Sequence, residues 1–333
     1  MIGLTLLALL LIQDPQIPPI GIIDFYGLRT VTEKQVREAL QIKEGDVLTD
    51  EPKDAKGRIA SIPDVVDVSF NFGCCEAGKA TLYVGIREKG EPSLTFRPAP
   101  QGKVRLSQEI AQAGEAFQKA FIAAVLSGNA SEDDSQGHAL TNDPATRAIQ
   151  ERFIIFATKD LKLLRDVLEN SSDAAQRALA AQIIAYARDK QSVVNDLVKA
   201  TRDPADSVRN NATRALAVMA ESGNQNPKQP VQIPARPFIE MLNSVEWTDR
   251  NKSSLALLKM TEKPDPTVLT ELRLKALPSL IEMARWKAKG HAYAPFFLLG
   301  RVAGFPDKEI NEAWEHGNRT EFIQAAVKRT KAN

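Results

Sequence analysis

The chain has few of the residues from which most catalytic and metal sites are built. Its 333 residues include two cysteines and three histidines. The cysteines, Cys74 and Cys75, are adjacent, which excludes a disulfide framework and a cysteine-based zinc site within one chain. Consecutive Cα atoms lie about 3.8 Å apart, short of the usual disulfide span, so the pair is expected to be free thiols in a turn. His138, His291 and His316 are far apart in the chain and show neither a His-x-x-x-His nor an HExxH spacing. His138 has Asp133, Asp134 and Asp143 near it in sequence, a set expected to be a solvated loop rather than a cation site. GxGxxG, GxSxG and phosphate-loop patterns are also missing. The expectation is a protein that is not an enzyme, with no catalytic residues, cofactor or metal.

Charge of one sign is missing too. Lys and Arg number 43 against 42 Asp and Glu, a net charge of +1, which gives no electrostatic footprint for nucleic acid. Long apolar runs are short of membrane length. "MIGLTLLALLLI" (residues 1–12) would reach about 18 Å as a helix against a bilayer core of about 30 Å. It has the length of the apolar part of an export signal, although no basic residue precedes it and no A-x-A site follows. An exported, periplasmic protein is expected, touching the membrane only transiently through this stretch. The alternative is a cytoplasmic protein of the same architecture.

What is present is apolar content of 43% with 26% charged residues and 6% aromatics, enough for real cores, and about two domains by length. After a Pro-rich spacer (the remainder of 1–19), "IGIIDFYG" reads as a strand ending at Gly27. Thr32 is a candidate N-cap for a helix whose Val36, Ala39 and Leu40 share one face. "KEGD" is a turn, and a second helix is expected over 51–62, stopped by Pro63. "VVDVSFNF" places Val66, Val68, Phe70 and Phe72 on one face at period two. "GCCEAGK" reads as a turn, and "ATLYVGIRE" as a last strand with Leu82, Val84 and Ile86 on one face. The order is β-α-α-β-β.

Residues 20–88 resemble a POTRA domain, the polypeptide-transport-associated module of outer-membrane assembly proteins and of a bacterial division protein. The matching stretches are "IDFYGLRTVTEKQVREAL", "IKEGDVL" and "IASIPDVVDVSFNF", with a last strand ending in Glu88. The resemblance implies a three-stranded sheet with two helices on one face, and capture of partner segments along a sheet edge. No barrel-like run follows, which moves the implied role from barrel assembly to recruitment of a partner. Strand Val65–Phe72 is the expected edge, so Val66, Val68, Phe70 and Phe72 are the candidate partner-binding residues.

Residues 89–104 carry three prolines and read as a linker. Residues 105–333 read as helical, with a polar or disordered loop at 127–144 and a possible helix break at Lys159-Asp160. Self-similarity follows: "QRALAAQIIAYA", "VRNNATRALAVMA" and "DRNKSSLALLKMT" align Arg177, Arg209 and Arg250, 32 and 41 residues apart. Paired helices at such periods suggest an α-solenoid, the alternative being an irregular bundle. "DPADSVRNNATRAL" resembles the HEAT-repeat consensus through Asp203, Val208, Arg209, Ala212 and Leu216. Arg177 and Arg209 are expected to hold neighbouring loops, and Trp247, Trp286 and Trp314 to serve packing. The fold class is thus a small α+β domain followed by a mostly α, HEAT-like domain. The expected function is a non-enzymatic scaffold or adaptor of the cell envelope that binds a protein or peptide. An enzyme of unrecognised type in the helical domain is the other alternative.

Overall fold

The structure, a computed structural model, describes residues 18–48, 52–225 and 230–332. The apolar stretch 1–12 lies outside the described residues. The chain is mostly helical, with one small three-stranded mixed sheet. Strand β1 (Ile20–Tyr26), helices α1 (Glu33–Leu40) and α2 (Lys53–Ala60), and strands β2 (Val65–Glu76) and β3 (Lys79–Glu88) come first. The sheet order is β1-β3-β2, with β1 parallel and β2 antiparallel to the central β3. β2 runs on to Glu76, so Cys74 and Cys75 fall within a strand and not in a turn.

Local chemistry explains these elements. Thr32 and Gln35 form a reciprocal capping box that satisfies two orphan N–H groups at the start of α1. Val36 and Leu40 are the buried face of that helix. The turn after β1 needs Gly27, whose φ is +81° and where a Cβ would strike the Ile86 carbonyl at 1.8 Å. Glu88 holds the next residues in place. It accepts from the Thr30 hydroxyl and from the N–H groups of Arg29, Thr30 and Val31. Burial pushes its carboxyl up, but these bonds outweigh it and leave Glu88 below its ordinary pKa. One face of the sheet is apolar: Ile23, Val68, Leu82, Val84 and Ile86 pack with Val36, Leu40, Ala55 and Ile59 of the two helices.

The helical part comprises α3 (Gln108–Leu126), α4 (Pro144–Lys159), α5 (Leu161–Asn170), α6 (Ala174–Ile184), α7 (Gln191–Ala200), α8 (Asp206–Gln225) and α9 (Arg236–Met241). It continues with α10 (Trp247–Met260), α11 (Pro266–Ala284), α12 (Lys289–Val302), α13 (Asp307–Glu315) and α14 (Arg319–Ala332). The α4–α5 break falls at Asp160, as the sequence suggested. Helices α6, α8, α10 and α12 stack one on the next, while α5, α7, α9 and α11 cover their other side.

A recurrent arginine latch ties these layers together. Arg177 donates to the Ser171 carbonyl, Arg209 to that of Asp203, and Arg250 to that of Ser244. Each acceptor lies six residues before its arginine. Each arginine also meets a carboxylate from the following helix pair or its loop: Arg177 with Asp203, Arg209 with Asp249, Arg250 with Glu282. The fork shape of guanidinium suits this double duty, and lysine could not reproduce it. The two buried aspartates differ in balance. Burial raises Asp203, but bonds from Arg177 and Arg97 reverse the shift and hold it low. At Asp249 burial wins over Arg209 and Ser244, and its pKa is raised.

The Pro-rich stretch 89–104 is not a free tether. Arg97 joins Arg177 on Asp203, its N–H donates to the Arg202 carbonyl, and Phe96 lies under Arg209 at 4.2 Å. Gly102 pairs in parallel with Ser171. This segment lies along the latch loops as a strap. The 127–144 loop is also seated on the helices, through a two-strand hairpin of β4 (Glu132–Asp133) and β5 (Leu140–Thr141). Leu140 and Thr141 are buried, and Tyr186 donates to the Ala139 carbonyl. Buried apolar groups in a polar-looking stretch explain why composition alone suggested disorder.

Candidate partner-binding edge and the docked sheet

Two sheet edges need partners, and among the described residues only that of β1 is covered. On β1, the Ile20 N–H donates to the Asp46 carbonyl and the Ile20 carbonyl accepts from Gly45. Further along, Lys287 Nζ donates to the Ile23 carbonyl and Lys287 N–H to Asp24. Among the described residues no strand pairs with the outer side of β2. An edge of this kind can accept an extended guest.

The four candidate residues of β2 do not form one continuous face. A bulge between Val65 and Asp67 changes the register, so Val65 packs on the sheet core while Val66 is 48% exposed. Val68 is buried and Phe70 is packed against the same core, so both are structural in their side chains. Phe72 is 44% exposed. The Val68 N–H donates to the Asp67 carboxylate at 3.0 Å. A charge at this point discourages edge-to-edge pairing. Past this charge the strand continues as Phe70–Gly73, and Val66 lies before it.

The other face of the sheet is buried on the helices. Tyr26 Oη donates to the Val245 carbonyl at 2.6 Å, and Arg250 lies over its ring at 4.6 Å. Tyr83 stacks on Trp247 at 4.6 Å and hydrogen-bonds His291 Nδ1 at 2.6 Å. Glu246 accepts from Ser69 Oγ and Asn71 Nδ2, and Glu282 Oε1 from the Gly27 N–H. Gly85 allows this approach: a Cβ there would lie 2.2 Å from the Val245 carbonyl and 2.5 Å from Tyr26 Oη. Burial, with the charge of Lys252, lowers His291 to about 4. This burial favours the neutral ring, which can exchange a hydrogen bond with the Tyr83 hydroxyl. Burial raises Tyr26 well above the ordinary tyrosine range. The indole N–H groups of Trp247 and Trp286 have no acceptor, so these rings act through packing, as expected from the sequence.

Under the hairpin, Lys190 Nζ donates to His138 Nδ1 at 2.9 Å and to the Ala185 carbonyl. Burial and the Lys190 charge push His138 to about 4, and burial lowers Lys190 to about 8. His138 is buried against Tyr186, not solvated. Asp133 and Asp143 are occupied as turn and helix caps, with Ser135 and Thr146. Among the described residues no group of three or more His, Cys, Asp or Glu is placed to hold a metal ion. None of the described helices is long and apolar enough to cross a membrane.

Sequence reasoning missed the residues of the docked face. Tyr26, Ser69, Tyr83 and Gly85 alternate with the apolar positions, and sequence reasoning gave them no role. The available signal was the pair of large rings, Tyr26 and Tyr83, at positions a solvated face would not need. No known family profile matches the chain, and no curated protein is similar to it.

Proposed function

We propose that the protein is a non-enzymatic scaffold that binds an extended polypeptide. A POTRA-like sheet would be fixed on a HEAT-like array, in the envelope if residues 1–12 act as an export signal. The observation that carries the reading is the asymmetry of the sheet edges. β1 is closed by Gly45, Asp46 and Lys287, whereas among the described residues no strand beyond its own hairpin pairs with β2. The stacked helices support it, because recurrent latches at Arg177, Arg209 and Arg250 suit a repeated array, and such arrays present extended surfaces.

The test uses the full chain. Random dodecapeptides displayed on phage are selected against it, and the winners are mapped by hydrogen exchange. Slowed exchange at Phe70–Gly73, or along α6, α8 and α10, is the expected result. If selection yields no saturable binder, or if protection falls away from both the sheet and the stacked helices, the scaffold reading fails.

A further inference from the structure

A second surface lies where the sheet meets α11. A cleft of about 410 Å³ opens between the Gly27–Arg29 turn, the end of β3, and α11. Clefts of this size at the junction of two structural units are common binding sites. Its rim carries Leu274, which is 75% exposed, the most exposed large apolar side chain among the described residues. One turn further along the same helix stands Pro278, inside α11. Proline has no N–H to offer the carbonyl four residues earlier, which is that of Leu274. The next carbonyl, of Lys275, accepts from Asn243 Nδ2 at 2.9 Å. The rim thus combines an uncovered apolar side chain with a carbonyl that lacks its i+4 N–H donor.

The polar lining is biased to one sign. Arg29, Arg87, Arg250 and Lys275 line the cleft, against the single carboxylate of Glu91. Arg29 and Arg250 are engaged internally, Arg29 with Glu91 at 2.9 Å and Arg250 with Glu282 at 3.0 Å. The other two are held loosely. Arg87 meets Asp67 at 3.5 Å, and Lys275 meets Glu271 at 3.5 Å across one helical turn. Pairs this long, with solvent at the partner, contribute little and are easily exchanged for another carboxylate.

We infer that this cleft takes an extended acidic peptide segment bearing an apolar side chain. The apolar side chain rests on Leu274 and Pro278. A carboxylate meets Arg87 and Lys275, and a peptide N–H donates to the Leu274 carbonyl. The inference rests on the reading of the chain as a polypeptide binder and names the partner chemistry at a place distinct from the β2 edge.

The experiment titrates full-length protein into a fluorescein-labelled decapeptide of alternating Glu and Leu, followed by anisotropy in about 50 mM salt, where surface charge is weakly screened. The alternating Lys-Leu decapeptide is the comparison. Saturable binding of the acidic peptide alone is expected. It should weaken about fivefold in the Arg87→Gln/Lys275→Gln double variant, the effect of two surface ion pairs, and also in Leu274→Ser. Ile155→Ser, at an exposed position of α4, should leave it unchanged, and circular dichroism melts confirm that each variant folds. Absence of binding, equal binding of both peptides, or indifference to the cleft variants would overturn the cleft assignment. The phage selection decides the scaffold reading separately, because its mapped peptides report on β2 and the helices.

Discussion

The two faces of the three-stranded sheet are both buried, by opposite means. The face under α1 and α2 is closed by aliphatic side chains, with Ile23, Leu82 and Val84 fully buried. The face on the helical array is closed by rings and hydrogen bonds: Tyr26, Tyr83, Ser69, Asn71 and the approach permitted by Gly85. An aliphatic face tolerates small shifts, since burial is non-directional. A hydrogen-bonded aromatic face fixes one position, since buried donors left unmade are costly. The first face builds the module, and the second sets its place on the array.

The comparison can be broken at several points. Leu82→Ala should have the largest effect, removing about 3 kcal/mol by opening a cavity in the aliphatic face, read from the urea midpoint. Gly85→Val should cost about 2 kcal/mol by overpacking, but with a different signature. The sheet should separate from the array while its own core survives. The fluorescence of Trp247 and Trp286 would then change at lower urea than the far-ultraviolet circular dichroism, and coincident transitions would show that docking does not depend on this approach.

Tyr83→Phe removes one hydrogen bond to His291 and should cost about 1 kcal/mol. Burial of the same histidine gives a pH dependence. His291 titrates near 4 when folded, below its ordinary value of 6.5. The unfolded chain therefore takes up the proton first, and stability is lost as pH falls from about 6.5 towards 4. His138 acts in the same direction, so His291→Gln should flatten only part of the slope in a series of urea melts. Gly57→Ala should give the smallest change, a gain of about 0.5 kcal/mol. It lies within α2 with no atom near a new Cβ and would lower unfolded-chain entropy. A loss of stability there would show that α2 is more crowded on the aliphatic side than its geometry indicates.

Much of the secondary structure was legible. Thr32 and Gln35 carry a capping signature, Leu82, Val84 and Ile86 alternate, and Asp160 ends a helical period. The arginine latches were legible as a recurring position, because a buried arginine must sit where a carbonyl and a carboxylate both reach it. Val66 was not legible: period-two alternation put it with Val68, and a bulge at Val65 moved it out. A bulge depends on how two strands align, information that lies outside either strand.

The sequence by itself determined the local elements, the aliphatic core of the sheet and the spacing of Arg177, Arg209 and Arg250. These follow from propensity, capping and periodicity, all read over a few neighbouring residues. Only the tertiary structure decided that the second sheet face is buried, that the Pro-rich stretch is a strap, that β1 is closed while β2 finds no further strand among the described residues, and that a cleft lined by Arg87, Leu274 and Lys275 borders α11. Each of these joins residues far apart in the chain, as with Tyr26 and Val245 or Lys287 and Ile23. A polar side chain such as Ser69 carries no mark of whether water or a distant residue will meet it. That is settled only when the partner surface arrives.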